Sequence, residues 1–293
     1  MTQAQRTVGR AATWTPALAL PALVLTVLGA LTWSRSHDYA DAETIWRDTL
    51  RRNPDAFIAS NNLGAVLLAR GELDPAAELF ERALRSKPDY EEGFDNLGQV
   101  RQRQGRLDEA VALYHDALRC EPRFANAHNN LGIVLAQQGR SSEAEDEFVE
   151  AIRLRPSFAK AHQNLGLVLA RMGRMGRAVA EYREVMRLSV DAHDVGKQLA
   201  WILATDPDAT VRNGADAVRF AMAANAAAGG KDAHALDVLA AAFAEAGRFD
   251  DAVRAEDEAL ALAGPSAPPE AREGAQARLA LYRSGRAFRR PSE

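Results

Sequence analysis

The residues Asn61-Asn62-Leu63-Gly64 return as Asn129-Asn130-Leu131-Gly132, with near copies at Asp95-Asn96-Leu97-Gly98 and Gln163-Asn164-Leu165-Gly166, so a tetrad recurs every 34 residues. A fixed period of that length marks an architecture of stacked repeats, in which each unit buries its apolar face only against its neighbours. The same step carries Gly71 to Gly105, Gly139 and Gly173, then Ala76 to Ala110, Ala144 and Ala178, and Phe80 to Tyr114, Phe148 and Tyr182. Each unit thus holds small residues and one aromatic at fixed places.

In the third unit Leu131 and Leu135 lie four apart, and Ala144, Phe148, Ala151 and Ile152 form a second stripe, the spacing of two successive amphipathic helices. Gly139, like Gly71 and Gly105, stands where the first helix ends, as the residue that takes a left-handed conformation without strain. Asp74, Asp108 and Ser142 are expected to cap the second helix, with Pro75 at its first helical position and Gly176 as a poorer cap in the fourth unit. Pro88, Pro122 and Pro156 then stop that helix and push the preceding residue toward extended geometry. Gly64, Gly98, Gly132 and Gly166 fall inside first helices, where glycine costs about 1 kcal/mol against alanine, so something must need the space. The expected occupant is the second helix at its Ala76-type positions, small residue against small.

Together these residues spell a large residue, two spacers, Leu-Gly, two spacers and a large residue, then Ala, three spacers, an aromatic and Pro. In this pattern the chain resembles the tetratricopeptide-repeat family over four consecutive repeats, 57–90, 91–124, 125–158 and 159–192. The resemblance implies an all-α fold, a right-handed α-solenoid of helix pairs whose concave groove is lined by first helices.

The phase extends beyond 57–192 at both ends. Upstream, Ala42, Trp46, Thr49 and Pro54 match a second helix, so residues 35–56 are expected to cap the solenoid directly after residues 1–34. Downstream, Leu199-Ala200 keeps the phase although Val190 stands in place of proline, and Leu239-Ala240 follows 40 residues later. The excess is assigned to a loop at Thr205-Asp206-Pro207-Asp208, after which Gly247, Ala252 and Ala259 restore the pattern. Residues 193–266 read as two divergent helix pairs, and 267–293 as a capping helix near Pro269–Arg283 with a tail, since a terminal repeat needs a polar outer face. The stretch from Leu199-Ala200-Trp201 through Arg212-Asn213-Gly214-Ala215 to Glu245-Ala246-Gly247-Arg248-Phe249 resembles the C-terminal portion common in bacterial repeat proteins.

From Ala11 to Ser34 no residue is charged, a run of 24. As a helix that run is about 36 Å long, against a hydrocarbon core of about 30 Å. Trp14 and Trp33 stand near its two ends, where interfacial indoles belong, and Pro16 and Pro21 lie toward its start. Arg6 and Arg10 also form the positive region of a cleavable leader, but Leu28 and Ala30 offer one small residue at the cleavage positions rather than two. The run therefore reads as one uncleaved transmembrane helix, attaching the chain to the inner membrane through residues 11–34. Arg6 and Arg10 favour a cytoplasmic N-terminus and periplasmic repeats, opposed by Arg35, Arg47, Arg51 and Arg52 on the other side. The stretch Tyr39, Ala42-Glu43, Trp46, Thr49-Leu50, Asn53-Pro54 resembles bacterial relatives of the transmembrane and tetratricopeptide-repeat glycosyltransferases, without their many-helix catalytic part.

Asn62, Asn96, Asn130 and Asn164 form a column, one per first helix. Neighbouring helices pack about 8–10 Å apart and an extended peptide rises about 3.3 Å per residue, so each Asn would meet every third residue of a bound peptide. An amide both donates and accepts, which suits a peptide backbone. The column resembles the peptide groove of O-GlcNAc transferase repeats. The competing role is structural, because an Asn here can satisfy polar groups at the joint between repeats. Asn61, Asp95, Asn129 and Gln163 precede the column, and Gln99, Arg103, Gln137 and Arg171 are expected toward the groove.

Other chemistry is scarce. His128 and His162 occupy equivalent places, but the family puts a large core residue there and no third metal ligand accompanies them. Arg171, Arg174 and Arg177 crowd one turn and read as a solvated surface rather than an anion site. Cys120 is the only cysteine, which excludes an intrachain disulfide and a cysteine-based metal cluster. A net charge of -4 gives no basis for nucleic-acid binding. No phosphate-binding loop, dinucleotide fingerprint or nucleophile elbow occurs, so neither an enzyme nor a cofactor nor a small-molecule substrate is expected. The sequence points to a membrane-anchored scaffold that binds a protein or peptide partner in its groove, or else to a non-catalytic subunit presenting substrates to a membrane glycosyltransferase.

Overall fold

The computed structural model describes residues 42–189, 192–265 and 267–291. Among them are fourteen α-helices and no strand. They are α1 (Ala42–Arg52), α2 (Phe57–Ala69), α3 (Leu73–Ser86), α4 (Glu91–Arg103), α5 (Leu107–Cys120), α6 (Ala125–Gln137), α7 (Ser141–Leu154), α8 (Ala159–Arg171), α9 (Met175–Leu188), α10 (His193–Thr205), α11 (Gly214–Ala227), α12 (Ala233–Glu245), α13 (Phe249–Ala263) and α14 (Pro269–Arg283). Among the described residues no helix is long and apolar enough to cross a membrane. The expected anchor at 11–34 lies outside the described residues, as does Val190.

The chain divides into two units at Val100 and Arg101. In the first, α1 packs on α2 and α2 on α3, around Leu50, Ala59 and Leu63 with Trp46 and Leu79 against them. In the second, the pairs α6/α7, α8/α9, α10/α11 and α12/α13 stack side by side, α5 lies on α6, and α14 closes against α13. The core of this second unit runs through Tyr114, Leu131, Phe148, Leu165, Tyr182, Leu199 and Phe220, one large side chain after another from successive helices.

In every pair but α10/α11 the turn follows from one glycine. Gly71, Gly105, Gly139, Gly173 and Gly247 have φ of 80°, 76°, 77°, 72° and 74°, a left-handed backbone that a side chain would strain. At Gly139 the closure is a double one: Gly139 N–H donates to Ala136 O at 3.2 Å and Arg140 N–H to Leu135 O at 2.9 Å. This bond pattern satisfies two of the carbonyls that a helix end leaves open.

The second helix then begins at once, which corrects the expected caps. Glu72, Arg106, Arg140 and Arg174 occupy the N-cap positions and make no side-chain cap bond. Each is already the residue after the turn glycine, so Asp74, Asp108, Ser142 and Gly176 fall at the second helical position and Pro75 at the third. Asp74 and Asp108 serve instead as negative charge in the first turn, where the helix dipole favours it. Side-chain caps occur where the connection is longer. Eight residues (206–213) separate α10 from α11, against three (172–174) between α8 and α9, and there Asn213 accepts from Asp216 N–H. Asp232 likewise caps α12 from the longer 228–232 segment.

A second correction concerns the helix-interior glycines. A Cβ built on Gly64, Gly132 or Gly166 would lie 2.7 Å from the ring of Phe80, Phe148 or Tyr182 respectively. The missing side chain therefore makes room for the aromatic of the partner helix, not for Ala76-type residues. Those alanines are themselves fully buried at 76, 110, 144 and 178. At the far end of the second helix, Lys87, Glu121 and Arg155 adopt φ near -140° (-140°, -135° and -139°), the extended geometry that the following prolines impose.

Candidate functional site

The polar wall expected toward the groove lies on α2, α4, α6 and α8. In the first unit Asn61 and Asp95 are buried, while Asn62, Asn96 and Gln99 are half-buried. Asn96 Nδ2 donates to Asn61 Oδ1 at 2.9 Å, one repeat back. Gln99 Nε2 donates to Asp95 Oδ2 at 2.9 Å and, more weakly, to Asn96 Oδ1 at 3.4 Å. Asn62 has no side-chain hydrogen bond among the described residues; the position one repeat before Asn61 is residue 27, outside them.

The second unit repeats the arrangement. Asn164 Nδ2 donates to Asn129 Oδ1 at 3.0 Å, and Asn129 Nδ2 to Asn130 Oδ1 at 3.3 Å. Asn129 is 4% exposed, so its amide needs these partners. Gln163, Arg103, Gln137 and Arg171 are exposed, and Gln137 Oε1 accepts from Gln102 at 3.2 Å. The column residue of one repeat thus bonds to the residue before the column in the preceding repeat, a stagger of 35 rather than 34.

Two features, one in the middle repeats and one in the last, are not legible in the sequence. His128 Nδ1 meets Glu147 Oε2 at 2.6 Å, and its Nε2–H donates to Pro122 O at 3.2 Å. His162 repeats the contacts with Glu181 at 2.7 Å and Pro156 O at 3.1 Å. Each imidazole braces its own second helix and the preceding turn. Burial opposes protonation of His128, but the Glu147 and Pro122 hydrogen bonds outweigh it and hold its pKa above the ordinary histidine value. The trace of this brace in the sequence is a spacing: Glu147 and Glu181 each stand 19 residues after their histidine. Among the described residues no group of three or more His, Cys, Asp or Glu is placed to hold a metal. The arginine turn is likewise tied down, with Arg174 and Arg177 both 2.6 Å from Glu145.

The second missed feature is an acidic pair in the last repeats. Glu256 of α13 is fully buried, 3.5 Å from Arg278 of α14, which also holds Asp237 of α12 at 2.7 Å. Burial and the Asp237 charge push the Glu256 carboxyl up to about 9, against the pull of Arg278. A cavity of about 260 Å³ opens beside Asp237 and Arg278, walled by Ala259, Leu260, Ala271 and Ala275.

No curated protein matches the chain. A solved structure from a functional characterisation of Pseudomonas aeruginosa PilF is similar over 76% of this chain and 98% of that one, at 25% identity and a TM-score of 0.64. The Cut9–Hcn1 hetero-tetramer of the APC/C shares the fold over 82% of this chain and 45% of that one, at 16% identity and a TM-score of 0.59. The family model for the tetratricopeptide repeat matches residues 34–91, 96–156 and 137–189, more than half of the sequence. With the helix pairs, their glycine turns and the glycine–aromatic fit in place, the chain belongs to the tetratricopeptide-repeat family.

Proposed function

We propose that the protein is a membrane-anchored scaffold that holds an extended segment of a partner protein along the first-helix faces of its repeats. The observation that carries this reading is the state of Asn96 and Asn164. Each is half-buried and gives one N–H to the joint between repeats. An amide has a second N–H and two acceptor lone pairs, so the residues that fix the repeat spacing keep capacity for a peptide backbone. Exposed Gln163, Leu167 and Arg171 on α8 add polar and apolar contact area beside them. In this reading residues 11–34 are the anchor and the repeats stand on the periplasmic side.

Crosslinking in native membranes tests the reading. A photoreactive residue replaces Leu167, on a first helix, or Val149, exposed on the second helix α7. A partner captured from position 167 and not from 149 is the expected result; capture only from 149 would move recognition to the opposite face. A glycosyltransferase as the captured partner would select the substrate-presenting role.

A further inference from the structure

Beyond α14 residues 284–291 stay against the fold. Gly285, at φ 68°, turns the chain after Arg283, and residues 286–291 run without regular structure back to α12 and α10. Phe288 stacks obliquely on Trp201, with ring centroids 6.0 Å apart. Arg278 lies 5.6 Å from the Trp201 ring and 5.8 Å from that of Phe288, completing a cation–aromatic group. Arg289 reaches Glu245 at 2.6 Å and Ala204 O at 3.3 Å. Arg290 donates its backbone N–H to Thr205 O at 2.9 Å and its guanidinium to Asp206 at 2.6 Å.

The place matters as much as the contacts. Trp201 and Thr205 stand 34 residues after Leu167 and Arg171, and Glu245 holds the Thr205 register in α12, because Leu239-Ala240 aligns with Leu199-Ala200. At the Thr205 register Gln137 and Arg171 are exposed on the earlier first helices, and at the Trp201 register Leu167 is exposed. In the last repeats the same face is covered by an extended peptide belonging to the chain itself. Its seat is chemically selective, with an indole for an aromatic ring and two carboxylates, 5% and 13% exposed, for two guanidinium groups. Its hold rests on side chains, with Ala287 and Phe288 packed against the core cluster of Ala244 and Tyr282 and two ion pairs beyond them, while from 287 to 291 one backbone hydrogen bond ties it down among the described residues and the two arginines stay 37% and 29% exposed.

We propose that Trp201, Thr205, Asp206 and Glu245 form a docking site for an extended partner segment carrying an aromatic residue followed by two arginines, with Phe288–Arg290 as the resident occupant that such a partner displaces. The site is separate from the asparagine wall and stands or falls without it. A tail on a short tether acts at an effective concentration in the millimolar range, so it sets a threshold that admits only a partner of better fit.

The test uses the full chain with Arg289→Glu and Arg290→Glu, which turns the two guanidinium groups seated on Glu245 and Asp206 into carboxylates and releases the tail. A labelled peptide of residues 284–291 is titrated by fluorescence anisotropy. Saturable binding to the released chain is expected, at least about tenfold weaker to the wild type because of the tethered competitor. Adding Asp206→Asn and Glu245→Gln should abolish it. No saturable binding, with helical content intact, overturns the proposal. Should the variant not fold, hydrogen exchange on the wild type decides: excess peptide should strip protection from the Arg290 amide, and unchanged protection overturns the proposal. A concentration-dependent wild-type dimer that the peptide dissolves would assign the seat to a second copy and overturn the partner assignment.

Discussion

A single methyl group tests the glycine–aromatic fit. In Gly132→Ala the added carbon would lie 2.7, 2.9 and 3.0 Å from three atoms of the Phe148 ring, which is 1% exposed. Overpacking of this kind costs about 1–3 kcal/mol. Against that, alanine in a helix interior gains about 1 kcal/mol over glycine. The net expectation is a loss of up to about 2 kcal/mol. Gly196→Ala is the matched control, since its new methyl would face only the flexible end of Met186 at 3.3 Å and should stabilise by up to about 1 kcal/mol. Urea unfolding followed by circular dichroism reads both. In a Phe148→Leu background the ring is gone, and Gly132→Ala should there lose its penalty, a coupling of about 1–2 kcal/mol in the double-mutant cycle. If Gly132→Ala stabilises as much as Gly196→Ala, or its penalty survives Phe148→Leu, the packing account is refuted.

Asn129→Ala strips Asn164 of its acceptor at a buried joint and should cost about 1–3 kcal/mol, whereas exposed Gln163→Ala should stay within about 0.5 kcal/mol; equal effects in thermal melts would end the joint role. His128 has a pKa raised above 6.5 in the folded chain, so its brace contributes fully below that pH and fades as pH rises through the raised value. The stability advantage of wild type over His128→Gln should shrink between pH 5.5 and pH 8, at about the histidine range, and a constant gap would contradict the ionic brace. Glu256 has the same sign over a different window: its carboxyl is raised from 4.5 to about 9, so the unfolded chain releases the proton first and stability falls as pH climbs through that range. Glu256→Gln should therefore be as stable as wild type near pH 4 and more stable near pH 8, about the two ends of the titration; parallel pH curves would refute it. The full chain should resist carbonate extraction from membranes and deletion of 11–34 should release it, while a full chain found in the supernatant would remove the anchor.

The parts of the fold legible in the sequence are those where one residue type is physically required at every period. Gly71, Gly105, Gly139 and Gly173 had to mark the turn because only glycine takes that φ cheaply, and Pro88, Pro122 and Pro156 had to end a helix. Pairings were harder to read. Periodicity gives each residue its register but not its neighbour across the helix pair, so the space over Gly132 was assigned to alanine when Phe148 fills it. Asp74 and Asp108 do not cap because in a turn this tight the residue directly after the glycine, Glu72 or Arg106, is already the N-cap, which leaves both aspartates inside the first helical turn. The asparagine wall was visible as a column, yet its offset bonding, Asn96 to Asn61 and Asn164 to Asn129, depends on how far one first helix slides along the next. Single occurrences carried no signal. The tail contacts of Arg289 and Arg290 cross about 85 residues of chain without a repeated partner to reveal them.

Hydrogen exchange on the full-length chain, with and without the partner captured at Leu167, reads directly which helices hold that partner. New protection is expected on the first helices α6 and α8, including the turns that carry Asn129, Asn130, Gln163 and Asn164. Protection confined to the second helices α7 and α9, with α6 and α8 unchanged, would contradict binding along the first helices.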